Sequence, residues 1–425
     1  MENKYKAKYN QIKTDRRAYK RTEKRSITGD DVIFIFEKVI EGWKTIKIFN
    51  TLIQRNPLSL VDKKIVQLVS TGNCKVYPNE LSKERYDYYL HLRSMVYDFY
   101  KTNININFKN NNLNKSPQNT YMSQTEPVIL IFGANGWIGS KVYNLLVDMN
   151  KNVFKARSRA DDSVSVEKEI QDIGNIATVT HVMSFIGRTH GVYEGETIGT
   201  IDYLEKPGKL VENIRDNLFS PVTLAEICKK HNIHFTYLGT GCIFDYDSEH
   251  PFGSVDTGFV ESDLPNFFGS SYSIVKGYTD RLMHTVYDKS VLNVRIRMPI
   301  TDEINPRNFI TKISNYKKIC SIPNSMTVLN ELLPILIDMA FKHQVGTINL
   351  TNPGLISHNE ILELYKEIVD PDFMWENFSI EDQNSVLASK RSNNCLNTEK
   401  LEYISNVKHI KESVRDILIQ MKTNL

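Results

Sequence analysis

From Glu126 onward, short runs of β-branched and apolar residues alternate with longer stretches whose apolar positions recur every three or four residues. Val128 to Phe132 is a five-residue apolar run, too short for a helix, and reads as a strand buried on both faces. Ser140 to Asn150 follows with helical spacing. The same logic predicts strands at Asn152 to Ala156, Val179 to Phe185, His234 to Leu238 and Val291 to Arg295, and a helix from Pro221 to His231. Strand and helix in alternation imply a mainly parallel sheet covered on both sides.

Ahead of that section, Val32, Ile33, Phe36, Val39, Ile40 and Trp43 fall at near-helical spacing. Tyr86, Tyr89, Leu90, Leu92 and Tyr97 do the same, with Leu81-Ser82-Lys83-Glu84 as a helix start. A small helical module over 30–103 is expected. Residues 1–29 carry ten basic and three acidic side chains and almost no aliphatic ones, so they read as a solvated arm. Residues 104–126 are rich in asparagine, have little to bury and read as a linker.

Charge sharpens this division. Residues 1–125 hold 23 Lys and Arg against 12 Asp and Glu, whereas 126–425 hold 30 against 38. Two separately evolved pieces joined end to end account for such an asymmetry. The basic arm suits a nucleic acid, an acidic protein or a membrane surface, and solvated charge without a partner explains it equally well. The chain opens with polar residues, with no apolar segment resembling a signal peptide, and contains no run of roughly 20 apolar residues. Cys74, Cys228, Cys242, Cys320 and Cys395 are dispersed, without metal-ligand spacing. A metal-free protein of a reducing, cytoplasmic compartment is expected.

The first predicted strand runs directly into Gly133-Ala134-Asn135-Gly136-Trp137-Ile138-Gly139 and then a helix. Glycines are needed in such a turn because a side chain would block the approach of backbone to a pyrophosphate, and the helix N-terminus then offers unpaired N–H groups to it. Gly133, Asn135, Gly136, Trp137, Ile138 and Gly139 are therefore candidate cofactor contacts. The expected class is α/β, a Rossmann-type doubly wound parallel sheet with a smaller C-terminal substrate lobe mainly from 296–425. Beyond the second strand stand Arg157 and Arg159, with no acidic residue before Asp161. Arginines there suit the extra phosphate of NADPH, and a solvated strand end explains them as well.

Tyr272 and Lys276 lie four residues apart at the start of an amphipathic stretch, which puts phenol and ammonium on one helix face. The ammonium is expected to lower the phenol from its reference value of about 10, and the phenol to donate a proton to a carbonyl as hydride arrives. Thr240, at the end of the strand beginning at His234, offers that carbonyl a hydrogen bond. A surface Tyr/Lys pair is the bland alternative. Ser357 and Glu360 fit a capping box, so His358 is not assigned to chemistry.

At this point residues 127–425 resemble the extended short-chain dehydrogenase/reductases of deoxysugar synthesis. They are similar above all to the plant-type bifunctional UDP-4-keto-6-deoxyglucose 3,5-epimerase/4-reductases, relatives of dTDP-4-dehydrorhamnose reductase. The resemblance is carried by Gly241-Cys242-Ile243-Phe244, Pro265-Asn266-Phe267, Arg295 to Ile300, Asn305 to Lys312, Ile322 to Thr327, Thr351 to Gly354, Ser357 to Glu360 and Arg391 to Asn394. It implies conversion of UDP-4-keto-6-deoxyglucose to UDP-L-rhamnose with NADPH, and hence a 4,6-dehydratase acting upstream. It assigns Cys242 and Lys312 to the 3,5-epimerase chemistry, in which ring protons α to the ketone are removed and returned on the opposite face. If the chain stays extended after Thr240, Cys242 faces the same way.

Arg307, Asn308, Asn324 and Arg391 are candidate substrate contacts, arginine forks being suited to a diphosphate; they serve equally as loop and cap residues. Two departures stand out. Ser184-Phe185-Ile186-Gly187 replaces the family's Asn-Ala-Ala-Gly, and the stretch from His190 to Leu210 is longer than expected. A reductase without epimerase activity, a non-catalytic NADP-binding regulatory subunit, and a homodimer all remain open.

Overall fold

The computed structural model describes residues 29–40 and 126–424, in two units that divide between Met122 and Ser123. In the first unit a 12-residue helix, α1 (Gly29–Ile40), buries Val32, Ile33 and Ile35; Val32 and Ile33 belong to the expected apolar pattern, and Ile35 does not. The arm, the second helical stretch and nearly all of the Asn-rich linker lie outside the described residues.

The second unit is built on a six-stranded sheet. Its chain order begins β1 (Val128–Phe132), α2 (Trp137–Asp148), β2 (Asn152–Lys155), α3 (Ser163–Gly174) and β3 (His181–Ser184). A hairpin of β4 (Gly191–Tyr193) and β5 (Glu196–Ile198) leads to a 3-10 turn, Ile201–Glu205. Then follow α4 (Lys209–Ile214), a π-helical segment Arg215–Phe219, α5 (Ser220–His231), β6 (His234–Thr240), α6 (Ser271–Thr285), β7 (Val291–Ile296) and β8 (Pro299–Ile300). The remainder comprises α7 (Phe309–Ser314), β9 (Lys318–Ile319), β10 (Thr327–Val328), α8 (Leu329–Phe341), β11 (Gly346–Asn349), α9 (His358–Ile368), β12 (Glu376–Asn377), α10 (Ile380–Val386), α11 (Glu399–Ile404) and α12 (Ile410–Thr423).

The sheet order is β11-β7-β6-β3-β1-β2, parallel throughout. Every residue of β1, β3 and β7 is buried; β1 reads as a continuous apolar run for that reason, while β3 and β7 also bury polar side chains, His181, Ser184, Asn293 and Arg295. Alternate side chains serve opposite faces. Val128, Leu130, Phe132, Phe235 and Tyr237 pack with α3, α5 and α6, while Ile129, Ile131, Val294 and Ile348 pack with α2 and α8.

Three expectations need adjustment. Helix α2 starts three residues early, because its cap is Gly136 inside the glycine turn. Strand β6 runs on to Thr240. The C-terminal lobe is not one stretch from 296: β11 pairs beside β7, and α8 packs on the same sheet, so 329–349 belongs to the nucleotide-binding half. The lobe proper has its own core, in which Ile300, Ile310, Met326, Ile361 and Val414 meet.

Candidate active site

The glycine turn closes with Gly136 N–H donating to the Gly133 carbonyl at 2.9 Å. Gly133 has φ +78°, and a Cβ on it would stand 2.9 Å from the backbone carbon of Phe185; one on Gly139 would stand 2.2 Å from the Gly133 oxygen. Only glycine fits at either place. No side chain caps α2, so its first N–H groups are open to an anion. Asn135, Gly136 and Trp137 line a recess of about 440 Å³ with Ser140, Lys141 and Arg307. This cradle fits the diphosphate of a dinucleotide. Glu303, after β8, accepts from the Trp137 indole N–H and pairs with Lys141 at 3.0 Å, joining α2 to the C-terminal lobe.

Past β2, Glu169 of α3 accepts the backbone N–H groups of Arg157 and Ser158, each at 2.8 Å, and fixes the turn. Arg157 and Arg159 project outward; Arg159 pairs with Asp161 at 3.0 Å.

A cleft of about 760 Å³ begins at Gly136–Ile138, passes over the ends of β6 and β7 and reaches the C-terminal lobe. It brings Thr240, Cys242, Tyr272, Lys276 and Lys312 together. Thr240 ends β6, and its hydroxyl accepts the Cys242 N–H at 3.0 Å. The chain therefore does not stay extended there. It turns at Gly241, where any Cβ would meet Arg297 and Leu396, and Cys242 still faces the cleft. Tyr272 rides on the first turn of α6, whose cap Ser270 accepts from Ser273 N–H.

The expected lowering of Tyr272 is not found. Burial pushes the phenol well up, with the nearby Cys242 adding to it and a hydrogen bond from Thr240 partly opposing. The reason is the direction of the lysine: the Lys276 ammonium donates to the Tyr237 hydroxyl and, at 3.3 Å, to the Leu238 carbonyl. Burial brings Lys276 down to about 7. Lys312 is likewise lowered by burial, then by Arg307 and Arg391.

The four candidate substrate contacts divide. Arg307 and Arg391 line the cleft. Asn308 is fully buried and caps α7: its side chain accepts from Ile310 N–H and donates to the carbonyls of Thr301 and Glu303, both at 2.8 Å. Asn324 is also fully buried, accepting from Arg297 at 2.7 Å and from Asn394 N–H at 2.9 Å. Neither reaches the cleft; both hold loops whose backbone would otherwise be unpaired.

Residues that carried no sequence signal contribute too. His190 lines the cleft and contacts the Arg307 guanidinium; burial, then Arg307, Arg188 and Lys312, bring its imidazole down to about 4. Asp202, in the long loop, binds Arg391. Seven basic side chains and no carboxylate line the cleft, a field made for a multiply charged anion.

Among the described residues no helix is long and apolar enough to cross a membrane, and no group of His, Cys, Asp or Glu is arranged to hold a metal.

Comparison with known proteins agrees with this geometry. The family model described as the NAD dependent epimerase/dehydratase family matches residues 129–309. Protein L780 of Acanthamoeba polyphaga mimivirus is 55% identical over 294 residues, 69% of this chain and 98% of that protein. Its crystal structure, that of a UDP-rhamnose synthase, superposes with a TM-score of 0.65 over 70% of this chain and all of that one. A bifunctional dTDP-4-dehydrorhamnose 3,5-epimerase/dTDP-4-dehydrorhamnose reductase of Arabidopsis thaliana is 42% identical over 67% of this chain and 90% of its own length. A dTDP-4-dehydrorhamnose reductase from Bacillus anthracis in complex with NADP, 15% identical, shares the fold with a TM-score of 0.56 over 71% of this chain and all of that one. With its glycine cradle, its parallel sheet and these relatives, the chain belongs to the NAD-dependent epimerase/dehydratase family.

Proposed function

We propose that the protein is a bifunctional 3,5-epimerase and NADPH-dependent 4-reductase that converts UDP-4-keto-6-deoxyglucose to UDP-L-rhamnose. The observation that carries this reading is the shared cleft. A proton donor, Tyr272, and a thiol and ammonium pair, Cys242 and Lys312, open onto one space beside the glycine cradle. Its lining, rich in lysine and arginine, suits a nucleoside diphosphate. The mimivirus and Arabidopsis relatives, whose names state UDP-rhamnose synthase and 3,5-epimerase/reductase activity, support it further.

In this reading Thr240 and Tyr272 hold the C4 carbonyl oxygen by hydrogen bonds. As that oxygen takes on enolate charge, Cys242 as thiolate removes the proton from C3 or C5, and Lys312 as ammonium returns one on the opposite face. A reduced nicotinamide held by the glycine turn would supply the hydride for C4. Tyr272, held protonated by burial, passes its proton to O4; an alkoxide is a stronger base than a phenolate, so the transfer runs downhill. Arg307 and Arg391 face the diphosphate, and Gly133 to Gly139 hold the cofactor. Arg157 and Arg159 would meet the 2′-phosphate of NADPH.

Incubation of the purified protein with the keto sugar and NADPH is expected to yield UDP-rhamnose, with the dTDP-linked sugar run in parallel for the nucleotide preference. Binding of NADPH without its oxidation would leave a non-catalytic subunit instead. Reduction only of an already epimerised sugar would leave a simple reductase.

A further inference from the structure

An ammonium group has three donors arranged as a tripod, and at Lys276 two of them are engaged inside the protein. One meets the hydroxyl of Tyr237 and another the carbonyl of Leu238, both on β6. Tyr237 is fully buried, and its ring belongs to the core between the sheet and helices α3, α5 and α6. Lys276 is almost as buried, yet it lines the cleft.

We infer that Tyr237 is a positioning residue for Lys276. Its hydroxyl, with the Leu238 carbonyl, fixes the ammonium at the floor of the cleft so that the third donor faces the reacting groups. The inference rests on the reductase reading of Tyr272 and Lys276, and it explains how a long, flexible lysine is held to one geometry without a carboxylate in contact. Asp280, one turn further along α6, is taken up by Arg295 of β7 through bonds of 2.8 and 2.7 Å and by Asn293 at 2.9 Å. The remaining titratable groups that act on Lys276 and Tyr237 are Tyr272 of α6 and Cys242 after β6. Thr279 of α6 lies near the Tyr237 phenol and donates to the Asn217 carbonyl of the π-helical segment at 2.6 Å.

Tyr237→Phe removes the hydroxyl and keeps the ring and its packing. An oxygen that accepts from an ammonium favours the charged form, so its loss favours deprotonation of Lys276. The expected results are a fall in kcat of about tenfold, a KM for the keto sugar within about twofold, and an alkaline limb of the pH–rate profile displaced to lower pH. A variant that melts earlier but keeps the wild-type kcat and pH profile would overturn the inference, since a packing role alone moves only the melting temperature. Lysine side-chain NMR, with the Lys276 signal assigned through Lys276→Met, reads the same displacement without turnover. If wild type binds NADPH but reduces no keto sugar, the proposed function fails while the NMR titration still decides the role of Tyr237: a Lys276 signal that titrates alike in both proteins sinks it.

Discussion

Asp202 grips both arms of Arg391. One carboxylate oxygen meets Nη2 at 2.5 Å and the other meets Nη1 at 3.2 Å, while Ser389 and Thr200 add hydroxyl bonds of 3.1 and 2.7 Å to the same carboxylate. Burial acts to raise the Asp202 carboxyl, but Arg391, Thr200 and Ser389 outweigh it and hold it below the usual carboxylate range. Asp202 sits in the 3-10 turn after the β4–β5 hairpin, and Arg391 comes from the C-terminal lobe. The His190–Leu210 stretch is therefore a strap tied to the C-terminal lobe, and Gly199, Thr200 and Ile201 form part of the cleft wall.

Removing one partner of such a part-buried pair leaves the other unpaired, at a cost of roughly 1–3 kcal/mol. Asp202→Ala is expected to raise KM for the nucleotide sugar by about tenfold or more, while NADPH binding, measured by its fluorescence, stays near wild type. A variant with unchanged KM would show that the strap does not shape the substrate site.

Epimerisation and reduction should separate at Cys242. Cys242→Ala is expected to abolish exchange of the C3 and C5 protons in deuterated water, yet to retain reduction of an already epimerised 4-keto sugar. Tyr272→Phe should do the reverse in part, slowing exchange but keeping it measurable through Thr240, and losing on the order of 10² to 10⁴ in the reduction rate. Exchange that survives in Cys242→Ala would remove the thiol from the mechanism.

Features fixed by local chemistry were legible from the chain alone. Val128 to Phe132 announced itself because all five of its positions are buried and apolar, and the glycine turn because no other residue fits at Gly133 and Gly139. The capping box of Ser357 and Glu360 is present as expected. What depends on distant partners was not legible. Asp202 and Arg391 are 189 residues apart. Asn308 and Asn324 are of a type that binds sugars, but the same amide satisfies buried loop backbone, and only their surroundings tell the two uses apart. The four-residue offset did place Tyr272 and Lys276 on one helix, but it could not reveal that the lysine donates to β6.

The two arginines past β2 should decide between the nicotinamide cofactors. Glu169 anchors the backbone of this turn, so truncating the exposed Arg157 and Arg159 side chains leaves its course intact. The double variant Arg157→Ala/Arg159→Ala is expected to bind NADPH about tenfold or more weakly, with NADH affinity within about twofold of wild type. The wild-type preference should also shrink as salt rises, because an exposed arginine and phosphate attract through screened water. Equal loss for both cofactors would place these arginines elsewhere than at the 2′-phosphate.

Stability should fall on mild acidification because buried imidazoles resist protonation. His181, 1% exposed at the start of β3, lies with its ring centre 5.3 Å from that of His234 and 4.7 Å from that of His343. Burial, then the charges His234 and His343 would carry, bring His181 down to about 4; burial and Arg297 do the same for His358 despite its bond to the Ile322 carbonyl. In the unfolded chain each imidazole titrates near 6.5. As pH falls below that value the unfolded state takes up protons that the folded state refuses, so stability present above pH 6.5 is lost progressively toward pH 4, by about 2 kcal/mol per histidine at pH 5. The melting temperature should thus drop steeply between pH 6.5 and 5. His181→Phe keeps a ring against Phe341 and should flatten that drop, even if the variant is less stable at pH 7.5, where the Ala340 carbonyl loses its imidazole partner. An unchanged slope in His181→Phe would mean that the cluster takes up its protons without unfolding.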